Sequence, residues 1–269
     1  MKRLLIPSAL VVSLLSVTAP AVVPVASAAA LSAEARGAQI AAEIDARGAG
    51  YGDMSSAVTM QLKNAHGQEA SRALRLRTLE RKDAGDYSLV IFDSPSDVKG
   101  TALLSHPKAG GDDQWLYLPS LERTRRISSK NTSGPFMGSE FAYEDITGAE
   151  VGKFDWTLLA EEACGKLTCF KLESTPKYER SGYSKRVVWV DSAEYRVHKI
   201  DFYDRKDALL KTLTYGDYRK YDGGHWRAHV WAMKNHQSGK STVLSFSDYT
   251  FGNGYTEQDF SKAALESIR

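Results

Sequence analysis

Hydrophobic and polar side chains alternate one by one along most of this chain. Val58, Met60 and Leu62 are separated by single polar residues, and Leu74 and Leu76 alternate with arginines. A period of two is typical of β-strands that bury one face. The pattern continues in the runs DYSLVIFD, TALLSH, QWLYLPS, ERTRRISS, KFDWTLLAEEA, LTCFKLES, SKRVVWVD, YRVHKIDFYD, LLKTLTYGDYRKY, HWRAHVWAMKNH and STVLSFSDYTFG. We therefore expect a mainly β protein of about a dozen strands.

Helical patterns are few. Residues 32–47 begin at a candidate N-cap, Ser32, and place Ile40 and Ile44 on one face before Gly48, which predicts a helix of about four turns. The tail TEQDFSKAALESIR predicts one closing helix capped at Thr256. A further helical segment is expected around residues 130–150.

The connections between runs are short, so consecutive strands should pair antiparallel. No stretch between strands is long and helical enough for repeated βαβ crossovers, which disfavours a doubly wound sheet. No linker or fixed-period repeat divides the sequence. A sheet of this size must close, fold over or be covered to protect its edges and its apolar face.

Two runs are apolar on both faces. Trp115 and Tyr117 point to one side of QWLYLPS while Leu116 and Leu118 point to the other, and Trp189 lies in the similar run RVVWV. Either a second layer packs on each side of such a strand, or a curved sheet lines a cavity with one of its faces. The pattern alone favours the first arrangement.

The N-terminus predicts export. Lys2 and Arg3 precede an apolar run from Leu4 to Val17, and small residues follow as far as Ala28. This is typical of a secretory signal peptide spanning 1–28, leaving one domain over 29–269. The run is shorter than the roughly 20 residues of a membrane-spanning helix, and no cysteine lies near the cleavage point. We expect a soluble, exported protein without a lipid anchor.

Charge argues against nucleic acid. Lys2 and Arg3 lie in the predicted signal, so the remainder carries 33 of the 35 basic side chains against 33 acidic ones. A neutral chain lacks the excess of basic groups that neutralises phosphates. No nucleic-acid partner is expected.

The two cysteines, Cys164 and Cys169, flank a short glycine-containing turn between two strand-like runs. In an oxidising compartment this spacing predicts a disulfide across a hairpin, with buried free thiols as the alternative. Zinc is disfavoured because two sulfurs without a nearby histidine supply half of its usual ligands.

Catalytic patterns are absent from the sequence. It contains no Gly-x-Ser-x-Gly elbow, His-Glu-x-x-His, P-loop or dinucleotide-binding glycine motif. His225 and His229 would lie about 13 Å apart on a strand, too far to share one metal. Asp112 and Asp113 fit a hairpin turn better than a calcium site. We expect no enzyme activity, metal or cofactor.

Arg123 and Arg125 alternate along ERTRRISS and should share one face of a strand. Most such basic stripes are solvated. This pair is nonetheless our candidate for holding an anionic headgroup or a partner's acidic surface.

The stretch SKNTSGPFMGSEFAYED combines loop-forming residues with Phe136, Met137 and Phe141. Its aromatic side chains either plug a gap in the core or lie over the mouth of an apolar cavity, where Gly134 and Gly138 let the backbone move. The pattern does not separate these alternatives.

Five long blocks carry a resemblance to a known family. They read VIFDSPSDVKGTALLSH, DDQWLYLPSLERTRRISS, SGPFMGSEFAYEDI, SGYSKRVVWVDSAEYRVHKIDFYDR and NHQSGKSTVLSFSDYTFGNGYTEQDF. In this order they resemble the outer-membrane lipoprotein-sorting protein family, a branch of the LolA-like superfamily. The resemblance covers nearly the whole mature chain.

The resemblance implies a strongly curved antiparallel sheet, an incomplete or half β-barrel of about eleven strands covered by a few helices and a lid loop around a hydrophobic cavity. It favours the cavity over the sandwich. It makes Phe136, Met137 and Phe141 candidate lid residues, with Trp115, Tyr117 and Trp189 as further lipid-binding candidates.

The function that the resemblance implies is a periplasmic carrier of lipid or lipoprotein acyl chains. Its partners would be an inner-membrane lipid-exporting transporter and an outer-membrane acceptor. The alternative is a sensory module of the same fold that reports lipid or lipoprotein status to a membrane partner. A lipid hydrolase ranks third, because no nucleophile and base are paired in the sequence.

Overall fold

The computed structural model describes residues 31–82, 85–108, 110–128, 130–147 and 150–268. The predicted signal peptide lies outside them. The strands are β1 Asp53–Lys63, β2 Glu69–Leu79, β3 Tyr87–Ser94, β4 Ala102–His106, β5 Asp113–Leu118, β6 Arg123–Ile127, β7 Phe154–Cys164, β8 Leu167–Pro176, β9 Tyr183–Asp191, β10 Val197–Asp204, β11 Leu209–Lys220, β12 Trp226–Asn235 and β13 Ser241–Phe251. The α-helices are α1 Ala33–Gly48, α2 Tyr143–Ile146 and α3 Lys262–Glu266.

All of these strands form one antiparallel sheet, in the order β6-β5-β4-β3-β2-β1-β13-β12-β11-β10-β9-β8-β7. The first and last strands pair at its centre, where Val58 on β1 lies opposite Phe246 on β13. From there the chain reaches one edge through β2 to β6 and the other through β12 to β7. The two edges do not pair, so the curved sheet remains an incomplete barrel.

The predicted fold class is confirmed. The structure has 13 strands, so the count of about eleven that the resemblance implied is low by two. The hydrophobic pattern was the better guide, because every run that it marked forms a strand.

The sheet has an apolar layer on each side, which explains the strands without a polar face. Val90 and Phe92 of β3 belong to a large core on the concave side, whereas Leu89 and Ile91 belong to a smaller core on the convex side. We call these the inner core and the outer core. The C-terminal segment covers the outer core with Phe260 and other apolar side chains.

That C-terminal segment differs from the single helix expected from Thr256. Thr256 begins one tight turn over Glu257–Phe260, and Ser261 then begins α3. The Ser261 hydroxyl accepts a hydrogen bond from the backbone N–H of Ala264 at 3.1 Å. A second N-cap therefore divides the predicted helix in two.

The N-terminal helix α1 agrees with its prediction to within one residue. The Ser32 hydroxyl caps it by accepting from the Ala35 N–H at 3.2 Å, and Ile40 is 1% exposed in the inner core. The helix crosses the edge strand β7 at Gly37. A Cβ at this position would lie 2.7 Å from both the Thr157 nitrogen and the Trp156 carbonyl oxygen. Glycine thus allows α1 to pack directly on the backbone of β7.

We predict that Gly37→Ala lowers the free energy of unfolding by roughly 1–3 kcal/mol, because the added methyl group must push α1 away from β7. Gly48→Ala is the matched control, since nothing lies within 4 Å of a Cβ at the end of the same helix. It should change stability by less than about 1 kcal/mol. Urea unfolding measures both. Equal effects would contradict the close approach of helix and strand.

Candidate functional site

Residues 130–147, which we call the covering segment, lie against the concave face of the sheet. Phe136 and Phe141 are 1% and 0% exposed within the inner core. The two are close in space because the backbone turns back on itself, with the Phe136 N–H donating to the Phe141 carbonyl at 2.7 Å. Met137, at the tip of this turn, has a left-handed backbone with φ 49°. The aromatic side chains therefore fill the interior rather than rest above it.

Aromatic contacts surround these two side chains. The Phe136 ring lies 5.7 Å from the Phe92 ring of β3 and 5.5 Å, edge to face, from the Tyr143 ring of α2. Met137 is partly buried against the inner core. Phe136 thus packs against both β3 and α2.

Polar side chains of the sheet fasten the covering segment at several points. The Lys211 Nζ donates to the Glu140 carbonyl at 2.8 Å and to Asp145 Oδ2 at 2.6 Å. The Glu140 carboxylate accepts from the Asn235 amide at 2.7 Å. Arg72 of β2 donates to the carbonyl of Met137. The two halves of the sheet therefore both hold the segment.

Two neighbouring acids of α2 are buried among hydrogen-bond donors. Glu144 accepts from the Tyr178 hydroxyl, the Ser181 hydroxyl and the Gly182 N–H at 2.8–2.9 Å. Asp145 accepts from the Tyr183 hydroxyl at 2.9 Å as well as from Lys211. Burial, reinforced by the negative charge of Asp145, raises the pKa of Glu144. The covering segment thus places two carboxylates in a row of sheet donors.

A cavity of about 130 Å³ remains beside the covering segment. Ligand-binding pockets usually span roughly 300–1,000 Å³, so this cavity is small for a long acyl chain. Apolar side chains of β10 and β11, including Ile200, Phe202 and Leu213, line it together with Arg186 of β9. A long acyl chain therefore needs more room than this cavity offers.

Three of the predicted lipid-binding residues lie away from the concave interior. Trp115 and Tyr117 lie in the outer core, where the Lys262 ammonium is 4.6 Å from the Trp115 ring centroid. Trp189 also points away from the cavity, because its indole N–H donates to Glu162 and Lys199 lies 3.8 Å from its ring. Alternation along each strand puts their apolar neighbours inside instead. The sequence could not show which of two apolar faces is concave.

Arg123 and Arg125 lie on the edge strand β6 and are exposed. Their partners across the ladder are Leu118 and Leu116, whose side chains contact the inner core. Both arginines are thus at the rim of the concave side. A role in binding headgroups or a partner remains a prediction.

Cys164 and Cys169 are joined by a disulfide at the β7–β8 turn, with their Cα atoms 5.8 Å apart. The bridge fastens the far end of a hairpin and does not line the cavity.

The histidine and aspartate pairs have structural partners. His229 is buried and its ring nitrogens lie 2.8 Å from the Phe246 carbonyl and the Tyr221 hydroxyl. Asp112 pairs with Lys153. Within the described ranges, no group of three or more His, Cys, Asp or Glu side chains is arranged to hold a metal ion.

Across the described part of the chain, every helix is too short or too polar to cross a bilayer.

Similarity to known proteins agrees with this architecture. A family model described as an uncharacterized protein matches residues 84–267. The crystal structure of an outer membrane lipoprotein-sorting protein domain from Vibrio parahaemolyticus is 51% identical, with a TM-score of 0.84, and the match covers 86% of this chain and 98% of that one. A DUF1329 family protein from Desulfovibrio piger is 30% identical, with a TM-score of 0.83 over 87% and 100% of the two chains.

A LolA superfamily protein from Nitrosomonas europaea shares the fold at 23% identity, with a TM-score of 0.70 over 87% of this chain and all of that one. Among proteins with curated descriptions, none matches significantly. The identity and coverage of the Vibrio match show that the chain belongs to the outer-membrane lipoprotein-sorting protein family.

Sequence reasoning missed the charged side chains on the concave face of the sheet. Lys211 and Arg186 sit at inward positions of strands whose other inward side chains are apolar, and Phe202 lies between them in the ladder. A charge on an otherwise apolar face was the available signal. This signal is useful only when the inward face of the strand is known. Strands that are apolar on both faces do not reveal which face that is.

We predict that Lys211→Met lowers the free energy of unfolding by about 3–5 kcal/mol, because Asp145 stays buried without its cation. The two side chains are each 5% exposed. Arg219→Met is the control, since its pair with Asp217 has side chains 59% and 48% exposed, and it should cost less than about 1 kcal/mol. Chemical denaturation distinguishes the two. A small loss for Lys211→Met would contradict a tightly fastened segment.

Proposed function

We propose that the protein is a periplasmic carrier that binds the acyl chains of a lipid or lipoprotein in its concave interior and delivers them toward the outer membrane. The observation that supports this most is the filling of the interior by Phe136 and Phe141. Both come from a loop-rich segment fastened at separate points, rather than from a second sheet or a long helix. An acyl chain could take the place of these two side chains in the apolar interior.

The energetic argument requires no catalytic group. Burying an acyl chain contributes about 0.8 kcal/mol per methylene, so a long chain entering an empty cavity would be held too strongly to be released. When the covering segment must leave first, its lost contacts oppose binding. The binding free energy is then the difference between burying the acyl chain and burying the covering segment. Such a difference allows cargo to be held during transport and released at an acceptor.

Movement of the covering segment is part of the proposal. Phe136, Met137 and Phe141 would leave the interior when cargo enters, and the turn that carries them would act as the lid. Gly138, with φ 76°, lies directly after Met137 and accommodates a backbone that other residues rarely adopt. The aliphatic inner core would then receive the chain.

In this proposal, transport runs from the inner membrane to the outer membrane. An inner-membrane lipid-exporting transporter would load the carrier and an outer-membrane acceptor would unload it. Arg123 and Arg125, exposed at the concave rim, remain candidates for contacting headgroups or such partners.

We predict that Phe136→Ala strengthens binding of a fluorescent acyl probe by tenfold or more while lowering stability by about 3–5 kcal/mol. Truncation removes contacts of the closed state only, so the binding-competent state becomes more populated. Probe titration and thermal unfolding measure the two effects.

Phe260→Ala is the matched control, because Phe260 is 0% exposed but belongs to the outer core. It should lower stability similarly and leave probe affinity within about twofold. Unchanged or weaker probe binding by Phe136→Ala would contradict competition between the segment and cargo.

A further inference from the structure

Hydrogen-bond donors without acceptors converge on the cavity. The Trp231 indole N–H is buried and makes no hydrogen bond within the described residues, and Trp231 lines the cavity together with Arg186 and Tyr215. A buried donor without a partner costs free energy, so its retention calls for an explanation. One explanation is that a ligand supplies the acceptor.

Arg186 is the charged member of this group. It is 7% exposed, its Nε donates to the Ser174 hydroxyl at 3.1 Å, and its guanidinium lies 3.6 Å from the centroid of the Phe154 ring. Within the described residues it forms no ion pair, and its two terminal nitrogens donate no hydrogen bond. Buried arginines are normally paired, because desolvation of an unpaired charge is costly.

Tyr215 adjoins both of these residues. Its ring lies 5.2 Å from the Trp231 ring, and its hydroxyl makes no hydrogen bond within the described part of the chain. Burial raises the pKa of Tyr215, and the positive charge of Arg186 opposes that rise. Arg186, Trp231 and Tyr215 thus line one cavity, and each side chain carries a group able to donate to an oxyanion.

Four carboxylates also line this cavity, those of Asp112, Glu144, Asp145 and Glu179. Asp112 pairs with Lys153, and Glu179 is exposed. The other two acids have different surroundings. Asp145 is neutralised by Lys211 at 2.6 Å, and Glu144 accepts three hydrogen bonds. Both belong to the covering segment. If the segment leaves on loading, the acids leave with it, whereas Arg186 and Lys211 stay on the sheet and are left cationic.

We propose that Arg186, Trp231 and Tyr215 bind the anionic end of an amphiphile, a carboxylate or a phosphate, while its chain replaces the covering segment. This inference rests on the proposed function and narrows its cargo to anionic lipids in preference to neutral ones. The guanidinium supplies charge and paired N–H donors, the indole N–H adds a directed hydrogen bond, and Ile200, Phe202 and Leu213 begin the apolar path.

Displacement of a neutral fluorescent probe by four ligands tests the inference: palmitate, palmitoyl lysophosphatidate, hexadecanol and inorganic phosphate. Palmitate or lysophosphatidate should bind wild-type protein roughly 10- to 100-fold more tightly than hexadecanol, the usual range for losing a charged hydrogen bond. The preferred anion identifies the head as carboxylate or phosphate. Inorganic phosphate should not displace the probe.

Arg186→Gln should abolish the preference and leave hexadecanol binding within about threefold. Trp231→Phe keeps an aromatic ring, removes the N–H and should reduce the preference several-fold, which provides a test if Arg186→Gln does not fold. Arg219→Gln is the control and should retain the full preference, because Arg219 pairs with Asp217 at the surface and does not line the cavity.

The outcomes separate this inference from the proposed function. Equal binding of anionic and neutral amphiphiles, a preference unaffected by Arg186→Gln or by Trp231→Phe, a preference lost in Arg219→Gln, or displacement by inorganic phosphate would each overturn the anionic site while leaving a lipid carrier in place. Failure of every amphiphile to displace the probe would overturn both.

Discussion

An open, curved sheet must cover its concave apolar face, and everything else in this structure depends on how that is done. A closed barrel would seal the interior with its own strands, and a sandwich would oppose it with a second sheet. Here the edge strands β6 and β7 do not pair with each other, and Phe136 and Phe141 of the covering segment are buried in the inner core. The core is therefore partly built from side chains that the chain can in principle withdraw.

The way the segment is fastened suits a cover that must be stable and yet removable. Its buried anchors are polar: Lys211 with Asp145, Asn235 with Glu140, and donors grouped around Glu144. Buried ion pairs contribute little net stability compared with apolar packing, but they are costly to break singly. Such contacts specify one closed position without making the closed state overwhelmingly favoured. In the proposed exchange the acids of the covering segment leave, and Arg186 and Lys211 stay on the sheet as cations. This is the basis for expecting anionic cargo.

The fold was largely predictable from the sequence, whereas the site was only partly so. Period-two runs marked every strand, and Ser32 marked the start of α1, because these signals are local. Phe136 and Phe141 were recognised as out of place in a loop, again from local composition. The side on which Trp115 and Tyr117 lie was not predictable, because their strand is apolar on both faces; in the structure the C-terminal turn and helix pack against them in the outer core. Arg186 and Trp231 became recognisable once the register put their unpaired donors into one cavity.

Hydrogen exchange of the covering segment, with and without a bound acyl ligand, tests the central claim most directly. The Phe136 N–H is bonded to the Phe141 carbonyl at 2.7 Å and the Tyr143 N–H to the Gly134 carbonyl at 3.1 Å, so both should be protected in the empty protein. If cargo replaces the segment, saturating ligand should accelerate exchange at these amides while strands β1 and β13 stay protected. Unchanged or slower exchange under saturation would show that the aromatic side chains are permanent core and that the interior does not open.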